Sequence, residues 1–460
     1  MMEDLRGDIV IGYVGGRPKR VNEKAIDEQW ISYLGQYADV VKIPPLAFIK
    51  LFDGSIEQWI RRYPYGMPSL SEKLSALCSR YRINVLYINL PVIVPYLLLA
   101  RNYIKSDLSF LLIAHSVASP FWLKQWLAIV PSLATRDILL VSSSSCRQAL
   151  LNISAHYDRA EFIPLCISLQ NKDRMSLSTQ VPATGNNLAR QQLLAIGRIE
   201  NVKNTDFLLH CFAKVHTEFP QARLTIAGEY TGATPEQMAI YRHYITGLVE
   251  ELDLEGVVVF PGIVEGEAKE KLFMAADLLV NFSTDPGETF GFNLLEAKAW
   301  GIPVVCTNWD GFRELVDHGH DGFLVDCCWE NDYPTIDLAQ AVSYCLQILS
   351  DGCLRESMSR AAKQSAQKYD YQVIVPKIVE AIYRRFGEPC DPVVSKDAIF
   401  NTPLSFCPDI YHLHHLQQFS FINDSLFSIL RSPNDEPMEE WMPKAKPIIK
   451  HFCERSVERV

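Results

Sequence analysis

The stretch GETFGFNLLEAKAWGIPVV, residues 287–305, carries two glutamates, Glu288 and Glu296, with seven residues between them. Glu288 falls in a glycine-containing loop after the apolar run DLLVNFS, and Glu296 lies about one turn into the helical pattern that follows. Gly287 and Gly291 permit tight backbone geometry and close approach of a ligand. The N–H groups of 290–292 then stand at a helix N-terminus, a place that favours an anion such as a diphosphate. Glu296 can accept hydrogen bonds from a ribose diol, and Glu288 can reach hydroxyls further along the same ligand. Taken alone, such a pair is more often two solvated surface charges, because glutamate is a good helix former. Upstream, IGRIENVKN (196–204) sets Arg198 and Lys203 in a loop just after a strand that ends at Gly197. Two cations there can neutralise a departing diphosphate, although in isolation they read as exposed loop residues. No Asp-x-Asp pair is present to hold a divalent ion on a diphosphate, so neither a metal nor another cofactor is expected.

The elements that must position these groups alternate along the chain. DIVIGYV (8–14), VLYINL (85–90), FLLIAHS (110–116) and DILLVSSS (137–144) read as strands. EKAIDEQWISYLGQY (23–37) reads as an amphipathic helix, and SCRQALLNI as a helix capped by a serine run. The apolar run 85–100, broken by Pro91 and Pro95, is expected to be buried strand and loop, too interrupted for a membrane span. A polar stretch, 170–187, reads as a linker. Alternation then restarts, with strands at 192–197, 222–228, GVVVFPG, DLLVNFS, PVVCT and GFLVD, and helices between them. Further helices follow, the last at 371–386 with Pro376 expected to kink it.

The expected fold is therefore α/β, with two Rossmann-like doubly wound parallel-sheet domains facing a central cleft and a C-terminal extension. The domains are expected at 1–170 and 187–368, with a crossover helix at 369–389 and an appended tail of unassigned role at 390–460.

Composition narrows the function classes. The chain has 460 residues and a formal net charge of −10, which argues against a nucleic-acid binder. Its 48 % hydrophobic and 21 % charged residues are ordinary for a globular protein. The start, MMEDLRGDIVIGYVGG, is acidic where a secretory signal is basic, and the twelve cysteines show no C-x-x-C spacing. Reduced core thiols and a cytoplasmic location are expected.

Together these pieces resemble the retaining glycosyltransferases of the GT-B fold, family 4. The matching segments are GRIENVK (197–203), LTIAGE (224–229), VVFPGIV (258–264), ETFGFNLLEAKAWGIPVV (288–305) and GFRELVDHGHDGFLV (311–325), in the family's order. The resemblance implies a nucleoside-diphosphate sugar as donor, a hydroxyl acceptor and no metal. It implies that Glu296 holds the ribose, Glu288 contacts the sugar, and Arg198 and Lys203 meet the diphosphate. Phe290 and Gly291 match a loop whose amides meet phosphate, and Gly262 falls near the base pocket. The first domain matches less closely: YVGGRP (13–18) resembles a glycine loop that places Gly15 and Gly16 near donor or acceptor. LLIAHS carries His115, which the resemblance places where many family members have a histidine close to the transferred sugar; a lone histidine after a strand is more often structural. FIPLCIS (162–168) and NFSTD depart from the family's usual turns, which leaves local loop geometry open. The implied chemistry is transfer with retention, in which leaving phosphate and incoming hydroxyl meet on one face and domain closure excludes water.

Other features carry weaker readings. SPFWLKQWLAIVP (119–131) presents Phe121, Trp122, Lys124 and Trp126, which could touch a membrane or a lipid-linked acceptor, although such a patch is more often acceptor-cleft wall or core. His412, His414 and His415 could suggest a metal, but no carboxylate or cysteine spacing accompanies them. The rival readings are a GT-B nucleotide-sugar epimerase or phosphorylase, and a non-catalytic scaffold that binds a partner through its tail.

Overall fold

The computed structural model describes residues 7–14, 21–61, 65–88, 93–115, 117, 126, 129–153, 155–169, 191–232, 234–285, 288–330 and 333–389. Contacts divide the chain into one compact unit of 1–164 with 372–460, and a second of 165–371.

The first unit is built on six parallel strands: β1 (Val10–Val14), β2 (Asp39–Ile43), β3 (Val85–Ile88), β4 (Ser109–Ala114), β5 (Ile138–Val141) and β6 (Glu161–Phe162). Their order is β2-β1-β3-β4-β5-β6. β3 and β5 are buried at every position, as a parallel sheet covered on both faces requires. β2, an edge strand with mixed exposure, has no alternation in its sequence that announces it.

The run 85–100 is half strand and half helix, which corrects the expectation of strand and loop. Beyond β3, a helix covers Val94–Ile104, with Pro95 in its first turn, where a missing N–H breaks no intrahelical bond. Arg101 of that helix is fully buried and paired with buried Asp137, while its guanidinium also donates to Ser132 O at 2.9 Å. Asp137 in turn accepts from the N–H groups of Phe110 and Ala134 at 2.9 and 2.7 Å. Such complete pairing makes a buried charge tolerable. Trp126 is a core residue, edge-on to Tyr157 at 6.1 Å, so it is not available to a membrane; Phe121, Trp122 and Lys124 lie outside the described residues. No helix among the described residues is long and apolar enough to cross a membrane.

The second unit holds β7 (Gln192–Ile196), β8 (Arg223–Ala227), β9 (Val258–Gly262), β10 (Leu278–Asn281), β11 (Val304–Thr307) and β12 (Gly322–Val325), all parallel. The order is β12-β11-β10-β7-β8-β9. The chain winds outward from β7 in one direction and from β10 in the other, so β7 and β10 flank the point where strand order reverses. Ligands of doubly wound sheets bind outside the carboxyl ends of the strands at such a point. Helices Thr205–Glu218 and Leu338–Ser350 cover one face through Leu208, Phe212, Cys345 and Ile348. Asp337 caps the latter helix, accepting from Gln340 N at 2.9 Å. An antiparallel hairpin, Cys327–Glu330 with Tyr333–Ile336, was not foreshadowed by the sequence pattern.

The final helix, Tyr371–Arg385, runs through Pro376 and groups with the first unit from Gln372 onward. There Arg384 is ion-paired with Glu161, the first residue of β6. The stretch 170–187, the tail 390–460 with its histidines, and Gly15 and Gly16 lie outside the described residues.

Candidate functional site

Loops from the two central strands of the second unit build the site. Gly197 ends β7, and its N–H donates to Ala227 O at 2.9 Å. Gly228, at φ 155°, touches it: a Cβ there would stand 1.7 Å from the Gly197 carbonyl oxygen, so only glycine fits. Gly228 N in turn donates to Gly262 O at 2.8 Å, lacing the ends of β7, β8 and β9 together. Gly262 itself has φ 76° and nothing within 4 Å of where a Cβ would point, so open space borders it.

After Gly197 the chain passes Arg198 and Glu200, makes one tight turn over Asn201–Lys203, and reaches Asn204 in the left-handed region. Asn204 tolerates that conformation, and its amide donates to Phe282 O at 2.8 Å and Thr284 Oγ1 at 2.9 Å. Thr284 N answers by donating to Val202 O at 3.0 Å. The loop after β7 is thereby fixed to the loop after β10.

This junction brings the cations to the acids. Lys203 Nζ lies 2.9 Å from Asp285 Oδ2 and is also ion-paired with Glu288. Arg198 reaches Glu200 at 2.6 Å and the same Asp285 oxygen at 3.2 Å. Burial draws the Lys203 ammonium down, but the attraction of Glu288 and Asp285, with a hydrogen bond to each, more than offsets it, and its pKa is raised. Lys203 therefore stays charged across the physiological range. The two cations differ in access: the Lys203 side chain is 16 % exposed, that of Arg198 54 %. Three carboxylates thus face two cations, and the cluster is short of positive charge by one.

The Glu288 loop rests on the turn after β11. Gly311 N donates to Glu288 O at 3.3 Å, and a Cβ on Gly311 would fall 2.2 Å from Thr289 O. Gly291, at φ 96°, caps the helix Phe292–Ala299 and leaves no room for a side chain against the Phe312 ring. Phe290 is buried, edge-on to Phe292 at 5.3 Å and Tyr369 at 5.9 Å. Its ring anchors the loop, so what this position can offer a ligand is backbone.

Glu296 lies on the same helix, but its partner is Lys269, 2.7 Å from Oε1. The two glutamates therefore do not pair with each other; each has its own lysine. Two residues further on, Lys298 forms a fully buried pair with Asp321 at 2.7 Å and donates to Leu315 O. Burial lowers the Lys298 pKa, opposed by the Asp321 charge. Asn293 completes the anchoring, donating to Ile196 O at 2.7 Å.

Arg198, Lys203, Glu288, Gly291 and Glu296 are thus assembled within the second unit, on loops and a helix that start at β7 and β10. His115 belongs to the first unit, immediately after β4, where burial lowers its pKa to about 4. Because the unfolded chain takes up a proton near pH 6.5 and the folded one only near 4, stability is lost as pH falls between those values. Urea midpoints of wild type should decline through that window, and His115→Gln should flatten the decline; an unchanged slope in the variant would refute the assignment.

Three residues of the assembly escape a motif reading: Glu200, Asp285 and Lys269. Glu200 and Asp285 sit inside the quoted segments, and the need of two cations for counter-charge was the available signal. Lys269 carries no signal at all, being one of two lysines in an ordinary helix, Gly266–Ala275.

Residues 179–365, which contain this assembly, match the family described as glycosyl transferases group 1. An uncharacterized glycosyltransferase of Methanocaldococcus jannaschii is 31 % identical over 192 residues, covering 41 % of this chain and 44 % of that protein. A D-inositol 3-phosphate glycosyltransferase of Pseudarthrobacter chlorophenolicus is 29 % identical over 236 residues, 49 % of this chain and 50 % of that protein. The chain thus spans about half the length of these curated relatives. Among solved structures, Anabaena HepE in complex with UDP and glucose superposes with a TM-score of 0.60 at 19 % identity, covering 82 % of this chain and 100 % of that one. Sucrose-phosphate synthase from Thermosynechococcus elongatus gives 0.59 at 18 % identity, covering 82 % and 98 %. The likeness establishes the fold as α/β of the GT-B type, built from two six-stranded parallel-sheet units.

Proposed function

We propose that this chain is a retaining, metal-independent glycosyltransferase of family 4, moving a sugar from a nucleoside-diphosphate sugar to a hydroxyl acceptor. The observation that carries the reading is the convergence of Arg198, Lys203 and Glu288 where strand order reverses, with Glu296 one turn along the adjoining helix. That the match to glycosyl transferases group 1 spans all four residues supports it, as do structural neighbours that hold UDP and UDP-glucose.

In this reading the cations meet the diphosphate. Arg198, half-exposed, is open to an incoming anion, while Lys203 is already ordered and charged, so little reorganisation accompanies charge build-up on the leaving group. Asp285 lies between them and yields its place to phosphate oxygens when donor binds. Glu288, held by Lys203, orients the sugar, and Glu296 accepts from the ribose diol. Backbone N–H groups about Gly291, at the start of the helix, face anionic oxygens. His115, neutral at pH 7, is in the form that accepts a proton or hydrogen bond from a sugar hydroxyl. The absence of a metal from this scheme means that assays in excess EDTA keep the full rate. A cytoplasmic location is part of the same reading.

Thermal shift with UDP, GDP and ADP tests the assignment. A nucleotide at about a hundredfold over its Kd stabilises by about 2.7 kcal/mol, or about 5–10 °C for units of this size. One nucleotide should give such a shift, and Glu296→Ala should abolish most of it. No shift with any of the three would instead favour the scaffold reading.

A further inference from the structure

The ion pair of Glu296 lies outside the diphosphate cluster and has its own architecture. Lys269 sits in the first turns of the helix Gly266–Ala275, which follows β9 and its terminal Gly262. Its ammonium meets Glu296 Oε1 at 2.7 Å and lies 5.9 Å from the centre of the Phe273 ring, one turn further along. Phe273 is buried, so the aromatic side of this contact is fixed. Glu296 is fixed from the other side, because its helix is pinned by the buried Lys298–Asp321 pair. Both partners are only partly exposed, Lys269 31 % and Glu296 25 %, so solvent does not fully screen them.

A glutamate carboxyl on a surface helix rotates broadly about its last torsion. A ribose diol presents two adjacent O–H donors to one carboxylate, and binding it requires one orientation of that group. A charge-assisted bond from a positioned ammonium selects such an orientation before ligand arrives. Among the described residues it also leaves Oε2 of Glu296 without a lysine, and it offsets a negative charge beside an anionic ligand.

We infer that Lys269 is a positioning residue for the nucleoside end of this site, orienting the Glu296 carboxylate for a ribose diol. The inference rests on the reading of Glu296 given under the proposed function, and adds Lys269 as the group that sets its selectivity for ribose over a sugar lacking the diol.

The test uses the full chain in titration calorimetry. The ligands are whichever of UDP, GDP and ADP wild type binds, and the 2′,3′-dideoxy analogue of that nucleotide. Lys269→Met keeps the length and apolar stem but removes the charge. It should weaken the ribonucleotide about fivefold to tenfold, the scale of one ordinary net hydrogen bond, and leave the dideoxy analogue within about twofold. Lys269→Arg should retain most of the affinity. In a Glu296→Gln background, Lys269→Met should cost nothing further. Wild-type affinity in Lys269→Met, an equal loss for both ligands, or an undiminished loss in the Glu296→Gln background would each overturn the inference while leaving the nucleotide site standing. A wild-type chain that binds none of the three nucleotides overturns the site assignment itself, and this inference with it.

Discussion

Replacing Lys203 by alanine should lower kcat/KM by about a thousandfold, the upper range for removing one preorganised charge from a developing oxyanion. Two effects combine. The leaving diphosphate loses an ammonium that is ordered before donor arrives, and Asp285 and Glu288 lose the cation that both of them share. Arg198 then faces Glu200, Asp285 and Glu288 alone, and an incoming diphosphate meets a cluster with a net excess of two negative charges. The sign of the second effect is testable. Asp285→Asn should recover part of the loss in the Lys203→Ala background, because it removes one of the repelling carboxylates. Steady-state kinetics of the two single variants and the double variant measures the coupling. A loss below about threefold in Lys203→Ala would remove this lysine from the reaction.

Lys298→Ala should be the most destabilising single change in the second unit, by about 3–5 kcal/mol, the range for breaking one side of a buried pair. Both side chains are about 1 % exposed, so Asp321 is left charged and shut away from water. Its remaining donors, Asp317 N at 2.9 Å and Ser365 Oγ at 2.7 Å, do not supply a positive charge. The Leu315 carbonyl also loses its lysine donor. Urea denaturation gives the loss directly. The double variant Lys298→Met with Asp321→Leu should regain most of it, because apolar groups of similar volume replace a buried pair at little cost. If Lys298→Ala unfolds within about 1 kcal/mol of wild type, the pair contributes nothing to holding the Glu296 helix.

Lys298, two residues from Glu296, looks in the sequence like any helical lysine. Its burial follows from where the helix Phe292–Ala299 lies against the helix Gly352–Ala366 and the turn at Asp321, more than twenty residues downstream. The same separation hides Lys269, whose contact with Glu296 spans 27 positions, and Asp285, whose contacts with Lys203 and Arg198 span 82 and 87.

What the sequence determined by itself was local. Strand and helix periods, and glycines at strand ends, are short-range features, and each motif of the second unit occupies one strand–loop–helix passage. Alternating passages of this kind force parallel sheets, so the α/β class and the existence of two such sheets were legible. The run 85–100 shows the limit: a stretch whose one strongly polar residue is Asn89 has no polar face to reveal its period, and Pro95 permits a helix only if it falls in the first turn. What the tertiary structure alone decided was strand order. β7 and β10 are neighbours although β8 and β9 intervene in the chain, and that adjacency lays the basic loop against the acidic one. Which lysine each glutamate receives is set by that order and by helix packing, because a charge selects its partner by distance in space, and sequence spacing says nothing of it.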